Sequence, residues 1–368
     1  MKLNRVWLVA ATAAAALTLA ACGSSSNNSS GSTGAGGSGS SGNCATGTLK
    51  AEGSTAQANA MTQWIDDYQK KCGGATINYN PTGSGAGVMQ FNGGQVDFAG
   101  SDSALDPAKG EPAAAQKRCN SPAWNLPMVV GPIAVAFKVK GIQDGGLTLT
   151  PDLVAKMFLG QITNWDDPAI KSANSGVNIP SEPIKVFFRS DESGTTQNFE
   201  KYLAASAPTD YTAKPSKTWS GKVGQGKAKS QGVQQAISST EGGLGYIEWS
   251  YAVSGNLATA KIDNGGGAVE LNADTAAAGV ATAQVVGTGN DLTLKLDYAT
   301  KAPGAYPIIL VTYEIVCSKY SDSKVGALVK SFLAYTATDG QGSLKQLGYA
   351  PLPSSLDDKV KSSISSIQ

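Results

Sequence analysis

Residues 189–196, Arg-Ser-Asp-Glu-Ser-Gly-Thr-Thr, gather in one short run the groups best suited to hold an oxyanion. Arg189 offers a planar fork of N–H donors that matches two oxygens of a tetrahedral anion. Ser193 and Thr195 add hydroxyls, and Gly194 allows a close backbone approach. Asp191 is spaced to hold the guanidinium still. The run follows a strand-like stretch, Ile184 to Phe188, and precedes Gln197 to Leu203, which has helical spacing opened by Ser193 or Thr195. The first amides of a helix lack intrahelical partners and carry the positive end of its dipole, which suits phosphate, sulfate or carboxylate. The plain alternative is an ordinary Arg189–Asp191 surface pair beside a helix cap.

Three earlier loops have the same character: Glu52 to Asn59 with Ser54 and Thr55, Pro81 to Gly87 with Ser84, and Gly100 to Ser103 with Asp102. Singly, each is a Ser/Thr cap or a Gly turn of a common kind. Together they place hydroxyls at four expected helix starts, with Asp102 and Arg189 as the charges that would converge on them.

The elements that must position these loops alternate. Strand-like Thr48 to Ala51, Ala75 to Tyr79 and Val96 to Gly100 are followed by helix-like Ala58 to Lys70, Gly87 to Asn92 and Pro107 to Cys119. Such alternation predicts α/β units around a mostly parallel sheet, with the ligand at the carboxyl ends of the strands. The body from Cys44 to Gln368 is long enough for two domains.

Before the body, Met1 to Ala21 reads as an export signal: Lys2 and Arg5, an apolar run from Val6 to Leu19, then Leu19-Ala-Ala-Cys22. That ending resembles a bacterial lipobox, with cleavage before Cys22 and acylation of its thiol as a palmitate-type anchor. Residues 22–43 are almost all Ser, Gly and Asn and read as a tether with an r.m.s. reach of roughly 25 Å. Gly34, Gly36 and Gly39 fit G-x-G-x-x-G, but without a strand before or a helix after them they carry no dinucleotide site. The 29 Lys+Arg, less Lys2 and Arg5, nearly balance 28 Asp+Glu, so no basic field recommends nucleic acid as a partner.

Gly53-Ser-Thr55, Thr82-Gly-Ser-Gly-Ala-Gly87, Asp97-Phe-Ala-Gly-Ser-Asp102 and Arg189-Ser-Asp-Glu-Ser-Gly-Thr195, in that order, resemble the phosphate-binding lipoproteins that feed the bacterial ABC-type phosphate importer. Gly160 to Pro168 and Gly245 to Ala252 are similar to the same family. The resemblance implies a two-lobed periplasmic-binding-protein fold of type II-like kind, with the anion in the interlobe cleft. It implies phosphate contacts from Ser54, Thr55, the Ala56 amide, Ser84, Asp102, Arg189, Ser193 and the amides of Gly194 and Thr195, with Asp191 orienting Arg189. At Ala56 the family often carries a bulkier apolar residue. The apolar runs Val129 to Phe137 and Ile308 to Val316 read as crossovers, giving one lobe of residues 44–132 plus 309–368 and another of 133–308. The resemblance further implies a monomer without cofactor or metal, outside the cell membrane and lipid-anchored to it, working with permease and ATPase subunits.

The rival readings are a binder of another tetrahedral oxyanion such as sulfate or molybdate, a phosphatase, and a structural or adhesive lipoprotein. The chain has no His, which excludes a Ser-His-Asp triad and disfavours a zinc hydrolase. A Ser-Lys arrangement or a carboxylate-metal phosphatase stays open; the expectation is a binding protein and not an enzyme.

With Cys22 acylated, Cys44, Cys72, Cys119 and Cys317 remain, an even number in an exported chain. Three pairings are possible. Topology prefers Cys44 with Cys72, at one end of a strand-helix unit. It then leaves Cys119 with Cys317, beside the outgoing and returning crossovers, if those strands run antiparallel.

Overall fold

One strand runs through both halves of the sheet in this computed structural model, which describes residues 44–368. The export signal, Cys22 and the tether lie outside the described residues. The main-sheet strands are β1 (Gly47–Gly53), β2 (Ala75–Pro81), β3 (Phe98–Ser101), β4 (Ala123–Lys138), β5 (Lys185–Arg189), β6 (Gln225–Lys227), β7 (Gly243–Glu248), β8 (Ala258–Thr259) and β9 (Ile309–Cys317). Their order is β2-β1-β3-β9-β4-β7-β5-β6, with β8 beside β4.

β4 is 16 residues long and buried almost throughout, as its unbroken apolar run requires. Its first part, Ala123 to Pro132, pairs antiparallel with β9; its second, Ile133 to Lys138, pairs antiparallel with β7. The halves of the sheet therefore meet between Pro132 and Ile133, where the Ile133 amide donates to the Ile308 carbonyl at 2.8 Å.

The expectation of a mostly parallel sheet holds only in the wings. β1 is parallel to β2 and β3, and β5 is parallel to β6 and β7, but the centre is antiparallel. The chain leaves one half along β4 and returns along β9, and an outgoing strand beside a returning one can pair only antiparallel.

The helices that matter for the site are α1 (Ala58–Lys71), α2 (Ser84–Asn92), α3 (Glu111–Cys119), α4 (Gly194–Ser206) and α5 (Lys229–Ser238). The single helix expected over Pro107 to Cys119 is broken. Gly110 takes φ 70°, ending a 3-10 turn at Pro107–Lys109 before α3 begins. Among the described residues no helix is long and apolar enough to cross a membrane.

Both disulfides join the pairs that topology preferred, Cys44 to Cys72 and Cys119 to Cys317, each with Cα atoms 5.4 Å apart. The second works as anticipated: β4 and β9 are antiparallel, and Cys317 stands opposite Ala123, four residues after Cys119.

Candidate functional site

The four polar loops meet around Asp102. Gly53 ends β1 with φ 141°, and a Cβ there would clash with the Gly100 carbonyl, so the first loop lies directly on the third. Ser54 donates its hydroxyl to Asp102 Oδ1 and accepts from the Ala56 amide at 3.1 Å. Ser84, at the first turn of α2, reaches Asp102 Oδ2 at 3.3 Å and accepts from the Asp102 amide at 3.1 Å. From the other half of the sheet, Thr195 reaches Oδ2 at 3.3 Å. Thr312 of β9 donates to Oδ1 at 2.8 Å.

Asp102 is therefore a buried carboxylate ringed by Ser54, Ser84, Thr195 and Thr312. Burial pushes its pKa up, while the Ser54 and Thr312 hydroxyls, the Arg189 charge and the Ser84 hydroxyl oppose that push.

Arg189 ends β5 and is itself buried. Its Nε donates to Asp191 Oδ1 at 2.8 Å and its Nη2 to Asp191 Oδ2. Asp191 thus holds the fork as expected, but by occupying one of its two edges. What remains for a ligand is the terminal Nη1–Nη2 edge. The Arg189 guanidinium beside Asp191 holds that carboxyl below its ordinary value, against the burial that would raise it.

Ser193 caps α4, accepting from the Thr196 amide at 3.2 Å, which leaves its proton free to donate. A Cβ on Gly194 would lie 2.6 Å from Ser84 Oγ and 2.7 Å from Asp102 Cβ. Only glycine admits so close an approach of the two halves. Thr55 faces the other way, its hydroxyl 2.8 Å from Ser230 Oγ, and Ala56 is buried behind it, its carbonyl accepting from Tyr349 at 2.6 Å.

The structure adds residues that the sequence reading missed. Ser230 opens α5, touches Thr55 and accepts from Arg189 Nη1 at 3.3 Å; a Ser between Lys227 and the helical run 231–238 was the available signal. Tyr246 accepts from the Arg189 amide at 3.1 Å, lies 2.7 Å from Thr196 Oγ1 and stacks on Phe199 at 4.6 Å, locking β5 against α4. Asn198 donates to the Asp102 carbonyl at 2.6 Å. Two further carboxyl groups, Glu248 and Glu314, are buried near Asp102, and burial raises the pKa of both.

Contacts between the halves extend beyond the site. Gly85 donates its amide to the Glu192 carbonyl at 3.1 Å, and Lys217 meets Glu111 at 3.4 Å with both side chains largely buried. The loops thus form a buried wall bearing hydroxyls, helix N-termini, one guanidinium edge and one carboxylate.

A profile described as a PBP superfamily domain matches residues 38–339. Two relatives similar over their full length are "Phosphate-binding protein PstS 3" of Mycobacterium leprae, 44% identical over 372 residues, and the protein of that name from Mycobacterium tuberculosis, 45% identical over 373; each alignment covers 100% of both chains. Among solved structures, a periplasmic phosphate-binding protein (PfluDING) bound with phosphate superposes with TM-score 0.69 over 86% of this chain and 93% of that one. At 21% identity that likeness speaks for the two-lobed fold. On the matched profile and the full-length relatives, this chain belongs to the PBP superfamily and, within it, to the PstS family of phosphate-binding proteins.

Proposed function

We propose that this protein captures inorganic phosphate outside the cell membrane and delivers it to the permease and ATPase subunits of an ABC importer. Asp102 carries the reading. A buried carboxylate in an oxyanion site is repulsive unless the ligand brings a proton for it to accept, and phosphate carries one near neutral pH where sulfate does not.

The contacts proposed for phosphate are the hydroxyls of Ser54, Thr55, Ser84 and Ser193, the Asp102 carboxylate, the free edge of Arg189, and the amides of Ala56, Gly194 and Thr195. Asp191 orients Arg189. The lobes proposed are residues 44–132 with 309–368, and 133–308, hinged where β4 changes partner. The lipid anchor at Cys22 and a monomeric state complete the proposal. Binding without turnover fits Ser193, whose oxygen is engaged as a helix cap and has no general base beside it among its hydrogen-bond partners.

Calorimetric titration of ligand-stripped protein with phosphate, arsenate, sulfate and molybdate tests both class and specificity. Tight phosphate and arsenate binding with weak sulfate binding is expected, together with no hydrolysis of p-nitrophenyl phosphate. Sulfate or molybdate bound as tightly as phosphate would overturn the assignment.

A further inference from the structure

Glu314 is a buried carboxylate to which phosphate capture, as described, gives no task. It stands on β9 directly opposite Gly100 of β3. Paired residues on neighbouring strands share a face, so its side chain lies where Gly100 has none. A Cβ on Gly100 would lie 2.5 Å from the Tyr79 hydroxyl and would clash with the Gln57 amide nitrogen. Gln57, Tyr79 and Glu314 thus share one buried patch, and two residues along the strands the Thr312–Asp102 hydrogen bond continues the same polar stripe.

Hydrogen bonding fixes the orientation of this patch. Tyr79 donates to the Ser54 carbonyl at 2.7 Å, which commits its proton. Its contact at 3.1 Å with Gln57 must therefore be to the donating NH2 end of the amide. Gln57 Oε1 is left as an acceptor without a donor, and although the Gln57 amide lies near Glu314, neither Glu314 oxygen is in hydrogen-bond geometry with it or with any other donor among the described residues.

Among the described residues an ionised Glu314 would also lack a cation. Arg118 of α3 is turned to the Val96 carbonyl at 2.8 Å, and the Arg189 charge is shared between Asp191 and Asp102. On other elements around β9, Glu200 of α4 accepts from the Ser216 and Ser220 amides and Asp274 is paired with Lys345. Glu248 of β7, also raised by burial, accepts from Ser250. Burial holds the Glu314 carboxyl up, to about 8; Gln57 pulls against it, and the Asp102 charge adds to it.

We propose that Glu314 is a positioning residue for anion capture, carrying a proton while the cleft is closed on phosphate, so that the negative charge in this wall belongs to Asp102 alone. The proposal rests on the phosphate reading above. The proton supplies a donor the patch lacks and steadies Gln57 and, through Tyr79 and the Ser54 carbonyl, the first loop. Bound phosphate adds negative charge on the Asp102 side of the patch and raises the Glu314 pKa further, as the Asp102 charge already does. Just above about 8, phosphate binding therefore takes up a proton, and affinity falls as pH rises through about 8.

The test is calorimetry with inorganic phosphate at about pH 8.5, in buffers of different ionisation heat, on wild type and Glu314→Gln. Wild type is expected to take up protons that the variant does not, and the variant to lose the alkaline decline in affinity. Equal proton counts, or parallel pH profiles, overturn the proposal. If Glu314→Gln does not fold, infrared spectra of glutamate-labelled wild type at about pH 8.5 decide: a protonated glutamic acid band that weakens when phosphate is removed supports it, and a band that does not respond to phosphate overturns it. Wild type that binds no phosphate at neutral pH would instead sink the phosphate reading, and this inference with it.

Discussion

Gly194 and Asp102, from opposite halves of the sheet, approach so closely that a Cβ on Gly194 would stand 2.7 Å from the Asp102 Cβ. Gly194→Ala should therefore hold the cleft ajar while leaving each half intact. The expected result is a loss of phosphate affinity of at least about tenfold, with little change in melting temperature without ligand. Unchanged affinity would show that the halves need not come this close in the bound state.

Asp102→Asn should bring phosphate and sulfate affinities closer together. The amide cannot act as a full acceptor for the phosphate proton, and it removes the repulsion that rejects sulfate, a difference of about 1–3 kcal/mol. In wild type, burial raises the Asp102 pKa, so binding that needs it ionised should fade with acidification earlier than an ordinary carboxylate would allow. Competition titrations across pH check both points, and discrimination equal to wild type would remove Asp102 from the selectivity argument.

Arg189→Lys should weaken phosphate binding by about tenfold or more, since an ammonium cannot present two coplanar donors. Asp191→Ala should cost less, because it frees a guanidinium edge without removing the charge. Isothermal titration of both variants ranks them; the reverse order would make Asp191 the more important group.

Ser230→Ala removes a hydroxyl that bridges Thr55 and Arg189. A single hydrogen bond of this kind contributes about 1 kcal/mol, so roughly a fivefold loss of affinity is expected with unchanged anion preference. Stopped-flow kinetics should show the loss in dissociation, because the bridge joins Thr55 and Ser230 from opposite halves of the sheet.

Replacing Cys119 and Cys317 together by Ser should lower unfolding free energy by about 2–4 kcal/mol and leave phosphate affinity within about twofold of wild type. Denaturant melts and titrations separate the two effects.

The loops were legible because their chemistry is local. Ser54, Ser84, Asp102 and Ser193 each stand at a strand end before a helix, and small and hydroxyl-bearing residues at such points have few other uses. The disulfides followed from the same strand order. Glu314 and Thr312 were illegible for the opposite reason. They sit inside the apolar run 308–316, and only the β9–β3 register turns them toward Asp102. The antiparallel centre of the sheet entered only as the condition for pairing Cys119 with Cys317, since local alternation records the wings and not the order in which the chain revisits them. Asp191 was read correctly as the holder of Arg189, but which edge of the guanidinium it takes is a fact of side-chain rotamers.

Cys119 and Cys317 are 198 residues apart, and the whole insertion between β4 and β9 lies between them. If the export signal read at residues 1–21 leads the chain out N-terminus first, Cys44, Cys72 and Cys119 all meet the oxidising side before Cys317 has arrived. Cys72 is the nearer partner for Cys44, only 28 residues away, so the short ring closes with the lower entropy cost and leaves Cys119 waiting. Cys317 ends β9, which lies between β3 and β4 and completes the sheet around Asp102. The long ring therefore fastens, in sulfur, the two ends of everything inserted between the outgoing strand and the returning one.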